Sequence, residues 1–290
     1  MLERWIQLLA CEFHVSTDAE PVMRWLDGVR PSALQDYSIS RRHRLEVRRE
    51  AGGHRVREDG EDRGLIADPD EAGALVERRL HELAFGALAG CTKVHAGCAT
   101  WRGRRFLVVG HGRAGKTTLM TRLLVDGFGV EGDEMVLVSD GRAVAYPRRF
   151  GIRRRTLGLV PRLGALAPHL AGAPDSDEPD GYQILALDPS QLGLSWRIGC
   201  GPVDVLFLLD GRHASPTRAL GCPAHAMVQG VMAQSNPPSG GRAAWVRDVC
   251  SLVRGAAGYR LTLGDLDSAA STVRQCLEAR LQTKDETGGS

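Results

Sequence analysis

Lysine is almost missing from this sequence. Of 37 basic residues only Lys93, Lys116 and Lys284 are lysines, a bias that reads as genome composition and leaves Lys116 conspicuous. Nor is there an excess of one charge. The 35 acidic residues leave a formal net charge of +2, which gives no general attraction to nucleic acid or to an acidic membrane surface. The seven cysteines, at positions 11, 91, 98, 200, 222, 250 and 276, show no C-x-x-C spacing. An odd number so widely spread supports neither a disulfide framework nor a zinc site, and reduced thiols in a cytoplasmic protein are the expectation. No uncharged apolar stretch reaches the ~18 residues that a membrane-spanning helix needs. The opening residues, Met1 to Gln7, also lack the apolar core and cleavage site of a signal peptide.

What is present suffices for a packed core. The 290 residues are 43% hydrophobic, enough for one large domain or two smaller ones. Residues 1–30 alternate weakly and then turn helical around Ala19–Val29. His43–Glu50, a Gly52-Gly53 turn and His54–Glu58 read as a hairpin whose charges alternate in sign. Such alternation suits a solvated sheet face; a docking surface for an acidic partner is the competing reading. Asp68-Pro69-Asp70-Glu71 starts a helix: Asp68 can cap it, Pro69 suits its first turn and Glu71 completes a capping box. Leu75, Val76, Leu80, Leu83, Ala84 and Leu88 follow at helical spacing, so an amphipathic helix is expected over 69–89, ended by Gly90.

Beyond Gly90 the pattern changes to short apolar strands and Gly-rich turns. Val94–Trp101 and Arg105–Val109 read as a strand pair around a turn at Gly103. Val130, Met135–Val138, Ala143–Ala145 and Gly151–Ile152 mark further short strands, and Val203–Leu209 is apolar enough for a buried one. Residues 171–181 form an acidic Pro/Gly loop, read as a linker with a lid as the alternative, and Pro237–Gly241 reads as a flexible break. A strand at Tyr259–Leu263 and a helix over about Asp267–Leu281 close the fold, with Lys284–Ser290 expected to be a disordered tail.

Residues 110–117, Gly-His-Gly-Arg-Ala-Gly-Lys-Thr, carry the pattern G-x-x-x-x-G-K-[ST]. A triphosphate needs backbone N–H groups turned inward around it, and glycines allow that without Cβ clashes. Gly110, Gly112 and Gly115 supply the freedom, with His111, Arg113 and Ala114 between them. Lys116 can reach the β- and γ-phosphates, Thr117 can ligate Mg²⁺, and Thr117 and Thr118 open a helix whose positive end faces the anion. Phe106–Val109 before the loop and Thr117–Leu124 after it give the strand–loop–helix context. A metal-binding carboxylate should lie nearby. Strand pattern alone favours Asp210, at the end of an apolar strand; the other candidates are Asp133 and Glu134, with Asp133 seventeen residues after Lys116. His95, fifteen residues before Gly110, would by itself be a satisfied buried histidine.

The stretch VHAGCATWRGRRFLVVGHGRAGKTTLMTRLLVDGFGVEGDEMVLV (94–138) resembles the catalytic core of the HPr serine kinase/phosphorylase family and its stand-alone relatives. These share a nucleotide core with phosphoenolpyruvate carboxykinases. The matching features are a His on the strand before the loop, the loop itself, a G-[FH] turn after the helix and an acidic pair. GRAVAYPRRFGI (141–152) and YRLTLGDLDSAASTV (259–273) also look like the stand-alone relatives. The resemblance implies that Asp133 accepts the proton of an attacking hydroxyl, that His95 supports it near the γ-phosphate, and that Glu134 helps hold Mg²⁺. It thereby displaces Asp210. Two departures stand out: Glu134 replaces the Asp of the bifunctional enzymes, and Pro147-Arg148-Arg149 stands where their Glu-Arg-Gly signature would be. Phosphorylase activity and a hexameric protein-substrate mode are therefore not carried over. Arg148 and Arg149, with Arg153–Arg155, could clamp phosphates or an acidic substrate, or form a solvated basic edge.

The expected fold class is α/β, with a smaller N-terminal α/β domain (1–92), a P-loop kinase core of the HPr kinase and phosphoenolpyruvate carboxykinase-like type (93–285) and a flexible tail (286–290). The expected function is ATP- and Mg²⁺-dependent phosphoryl transfer to a hydroxyl, a Ser of a peptide or protein, with no nucleic-acid or membrane partner. The alternatives are a small-molecule hydroxyl kinase and a non-enzymatic ATP-binding regulator.

Overall fold

Alternation with a period of two decides the first sheet. The computed structural model describes the chain apart from residues 30–33, 36–37, 172–183, 214–215 and 288–290. Two units result, Met1–Gly90 and Cys91–Ser290. The first contains strands β1 (Leu2–Leu8) and β2 (Cys11–Thr17), helix α1 (Glu20–Val29), a short β3 (Leu34–Gln35), strands β4 (Arg41–Glu50), β5 (Gly53–Glu58) and β6 (Glu61–Ile66), and helix α2 (Pro69–Ala87). Its main sheet runs β1-β2-β4-β5-β6, with only β2 and β4 parallel. Phe13, Val15, Leu45, Val47 and Val56 point to one face and are wholly buried beneath Val22 and Leu26 of α1 and Ala72, Val76 and Leu80 of α2. Each fully buried aliphatic side chain contributes roughly 1.5–3 kcal/mol.

On the other face the arginines meet carboxylates: Arg42 with Glu12, Arg48 with Glu46, and Arg55 with Glu50 and Asp62. This self-neutralised ladder agrees with the solvated face and offers an acidic partner little unmatched charge. The hairpin turn needs glycine at Gly53, where a Cβ would lie 2.4 Å from the Ile66 carbonyl oxygen. Asp68 caps α2 by accepting from the amides of Asp70 and Glu71. The expected box is only half formed, because Glu71 makes no return bond among the described residues.

The second unit holds strands β7 (Thr92–Val94), β8 (Ala96–Trp101) and β9 (Arg104–Val109), helix α3 (Lys116–Val125), and strands β10 (Gly129–Gly132), β11 (Val136–Ser139), β12 (Arg142–Ala145) and β13 (Phe150–Arg153). Short helices α4 (Arg154–Leu159), α5 (Pro161–Leu166) and α6 (Pro168–Ala171) precede β14 (Ile184–Leu187), a 3₁₀ turn at Pro189–Leu192, β15 (Arg197–Ile198) and β16 (Gly201–Pro202). The chain ends through β17 (Val205–His213), β18 (Arg218–Gly221), α7 (Ala224–Ala233), β19 (Ser235–Asn236), α8 (Gly241–Gly255), β20 (Ala257–Leu263) and α9 (Leu266–Thr287). One sheet runs β10-β8-β9-β17-β20-β18, with β9, β17 and β20 parallel. Alternate pleats explain the continuous apolar run of β17. Phe207 packs on Phe106 and Tyr259, while Leu208, on the opposite pleat, lies against Gly230 of α7. A second sheet runs β16-β12-β11-β7-β19 and is backed by α8, whose buried Asp248 accepts a 2.7 Å bond from Thr92.

Several expectations need correcting. The strand over 94–101 is broken at His95, leaving β7 and β8 in different sheets. β17 continues through Asp210 instead of ending before it. Helices α7 and α8 were not anticipated. Neither starts with a side-chain cap, and Gly230 interrupts the apolar pattern of α7, so packing rather than local signals makes them helical. The stretch 237–241 is a turn leading into α8. The expected tail is helical through Thr287, and most of the acidic 171–181 loop lies outside the described residues.

Helix α3 is seated by Gly97 of β8, where a Cβ would fall 2.6 Å from Met120 Cγ. Gly97→Ala should therefore cost about 1–3 kcal/mol by overpacking, measured by urea denaturation. Unchanged stability would contradict so close a seat.

Candidate functional site

The strand–loop–helix begins with a strand buried on both faces. Phe106, Leu107, Val108 and Val109 are fully buried, and β9 is flanked by β8 and β17. The chain leaves it through Gly110, where a Cβ would stand 3.0 Å from Leu209 Cβ. Arg113 and Gly115 take positive φ, +67° and +95°, which turns the loop back into α3. Gly112 has no atom within 4 Å of its would-be Cβ, so packing within the chain does not require its missing side chain. His111 lies against Gly211, just past Asp210.

Lys116 opens the helix yet is only 5% exposed. Its ammonium donates to the carbonyl oxygens of Gly110 at 2.7 Å and His111 at 3.0 Å. Burial pushes its pKa down to about 8, against the pull of Asp133 and Glu134. Among the described residues this ammonium bonds carbonyls and no carboxylate.

Two points where the chain passes between sheets bring the other groups to the loop. Strands β8 and β10 pair in one sheet, β7 and β11 in the other, so one ribbon runs through both. It breaks at His95 on one side and at 133–135 on the other, and the Ala96 amide donates to the Glu134 carbonyl across the break. Asp133 is 6% exposed, and burial pushes its carboxyl up to about 6, opposed by the nearby Thr117 hydroxyl. His95 is held below its ordinary range by burial and then by the Lys116 charge, which keeps its imidazole neutral near pH 7. Glu134 pairs with Arg148 at 2.9 Å, both side chains more than half exposed.

His95, Lys116, Thr117, Asp133, Glu134 and Arg148 thus share one electrostatic neighbourhood. Arg149 points elsewhere, 3.9 Å from the buried Asp188 that caps the 3₁₀ turn. Thr118 follows Thr117 on the first turn of α3, half-buried. Asp210 accepts a 2.6 Å bond from Thr262 on β20 and is not among the charges that shift Lys116, Asp133 or His95. Sequence reading missed the buried pair Arg105–Glu131 beside the site, at 2.8 Å. The one signal was a lone acidic residue in the otherwise apolar and glycine run Phe128-Gly-Val-Glu-Gly132.

No protein-family model matches the chain, and no protein of curated function matches it either.

The buried carboxylate makes stability depend on pH. Its folded pKa of about 6 lies above the ordinary 3.8, so the protonated form stabilises the fold at low pH and that gain is lost as pH rises through about 6. Above it, the fold carries an ionised buried group at up to about 3 kcal/mol. Asp133→Asn should therefore be more stable than wild type by up to that amount near pH 7.5, about one and a half units above that pKa, with the gap closing below about pH 5. Denaturant titrations at the two pH values test this, and an equal gap at both would contradict it.

Proposed function

We propose that the second unit is an ATP-dependent kinase core of the HPr kinase and phosphoenolpyruvate carboxykinase-like type, transferring a phosphoryl group to the hydroxyl of a peptide or protein Ser. One observation carries the reading. A buried lysine ammonium, partnered by carbonyls alone, sits at the start of a helix behind a glycine loop with a buried carboxylate in reach. An anion at the mouth of the loop would meet the Lys116 charge, the amides of the loop and the positive end of α3 together. Open space at Gly112 supports the same occupant.

Among the described residues no group of three or more His, Cys, Asp or Glu side chains could hold a metal alone. That suits Mg²⁺ arriving with the nucleotide, since Mg²⁺ is commonly held by one or two protein groups plus phosphate oxygens. Thr117 and Asp133, near enough for the hydroxyl to lower the carboxyl's pKa, are the donor pair, with Glu134 next to them. Mg²⁺, when bound, supplies charge neutralisation to the phosphates. Asp133 then accepts the proton of the attacking hydroxyl as the new O–P bond forms and the γ-phosphoryl leaves ADP. In the free protein burial raises the Asp133 carboxyl to about 6, which leaves it mostly ionised at pH 7. Neutral His95 adds no positive charge that would weaken that base. Arg148, exposed and exchangeable between Glu134 and phosphate, suits charge stabilisation.

Lys116→Ala should abolish Mg·ATP binding in a titration while leaving the fold intact; retained wild-type affinity would remove the assignment. Asp133→Asn should bind Mg·ATP but lose about 10²–10⁴ in single-turnover transfer, whereas Asp210→Asn should change transfer far less. The reverse ranking would move the base to Asp210.

A further inference from the structure

We propose that Glu131 and Arg105 are positioning residues for this site: their buried ion pair fixes a β-bulge that turns Asp133 toward the phosphate loop. The catalytic part of this inference rests on the kinase reading above; the structural part does not.

The register of β10 on β8 supplies the argument. Val130 pairs with Ala99 and Gly132 with Cys98, so Glu131 is the extra residue of a bulge. Opposite residues of an antiparallel pair point to one face, and a one-residue insertion reverses the face of everything after it. Gly97 faces α3, through Met120, while Cys98 faces away, with its Sγ 3.9 Å from the Glu131 carboxylate. Ala99 and Val130 share the α3 side. Without the bulge, residue 132 would return to that side and Asp133 would point away from the loop. With it, the shifted register carried one residue past Gly132 sets Asp133 on the side of Gly97, the side of α3, whose Thr117 is among the groups that act on the Asp133 carboxyl.

A bulge leaves ladder bonds unmade and needs something to hold it. Glu131 is 3% exposed. Its carboxylate accepts from Arg105 Nη2 at 2.8 Å and from the Gly199 amide at 3.3 Å, and its carbonyl accepts from buried Trp196 Nε1 at 3.0 Å. Arg105 also donates to the Ala143 carbonyl at 3.0 Å, tying the bulge to the second sheet. Glycines line the slot: a Cβ at Gly199 or Gly201 would stand 3.1 or 3.0 Å from the guanidinium nitrogens. Arg105 lies on the strand that feeds the loop, so one ion pair links the loop's strand to the strand of the carboxylate.

The test compares wild-type full-length protein with Glu131→Gln and with the paired substitution Arg105→Met/Glu131→Met. Replacing both partners of a buried ion pair by apolar groups is often neutral for stability, so the pair variant is the one expected to stay folded. Hydrogen exchange should quicken about tenfold in peptides covering 131–136 and stay unchanged over 110–125. Mg·ATP affinity should hold while single-turnover ADP formation falls about 10²-fold, the cost of a misplaced group. The proposal is overturned by unchanged exchange at 131–136, by equal acceleration everywhere, by normal ADP formation despite the loosened bulge, or by affinity and rate falling together. Wild-type protein that binds no Mg·ATP would sink the kinase reading and the catalytic role with it, while the exchange data still decide whether the ion pair holds the bulge.

Discussion

The unpaired charge of Lys116 is the constraint around which the second unit is arranged. An ammonium held away from water is costly unless an anion or well-placed acceptors meet it. Here two carbonyls of its own loop do so, and they can because Gly110 abuts Leu209 and Gly115 adopts a left-handed turn. Asp133 faces the mirror problem, a carboxylate kept dry, whose pKa burial raises and the nearby Thr117 hydroxyl lowers. Asp133 pulls on the Lys116 ammonium without joining it in an ion pair among the described residues. The fold accepts lower stability at neutral pH in exchange for that arrangement, a trade common where a site must bind or react.

The geometry follows from one ribbon shared by two sheets. β7 and β8 form one side and β10 and β11 the other, and the ribbon breaks where it passes from sheet to sheet. At the break the backbone keeps two bonds, from the His95 amide to the Gln234 carbonyl and from the Ala96 amide to the Glu134 carbonyl, and the ladder passes from one sheet to the other beside the loop that β9 delivers. The first unit has its own core and its own charge ladder, and the chemistry proposed for the second unit uses none of its residues.

Much of this was legible in the sequence. The loop announced itself through glycine spacing and a rare lysine, and β9 and α3 through the apolar residues on either side. Alternation gave the hairpin of the first unit, and the Asp68-Pro69 start gave α2. Asp133 was found through a family resemblance rather than through its strand, because its placement depends on a bulge that no local pattern reveals. The partner of Glu131 is 26 residues away in the chain, and Arg105 looks like any other arginine of an arginine-rich sequence. Helices α7 and α8 escaped notice for a related reason: their apolar faces match particular side chains of β17 and of the second sheet, and their starts lack capping residues. Asp210 drew notice because it follows an apolar stretch, and in the fold its carboxylate accepts a hydrogen bond from Thr262.

The scarcity of lysine makes the central claim directly measurable. With only Lys93, Lys116 and Lys284 in the chain, the side-chain resonances of ¹³C-lysine-labelled protein can be assigned with Lys93→Arg and Lys284→Arg variants and followed against pH. In the free protein Lys116 should titrate near a pH of about 8 rather than the ordinary 10.5. Adding Mg·ATP should raise that midpoint, because phosphate charge beside the ammonium favours its protonated form. A free-protein midpoint at the ordinary value, unmoved by Mg·ATP, would contradict the account.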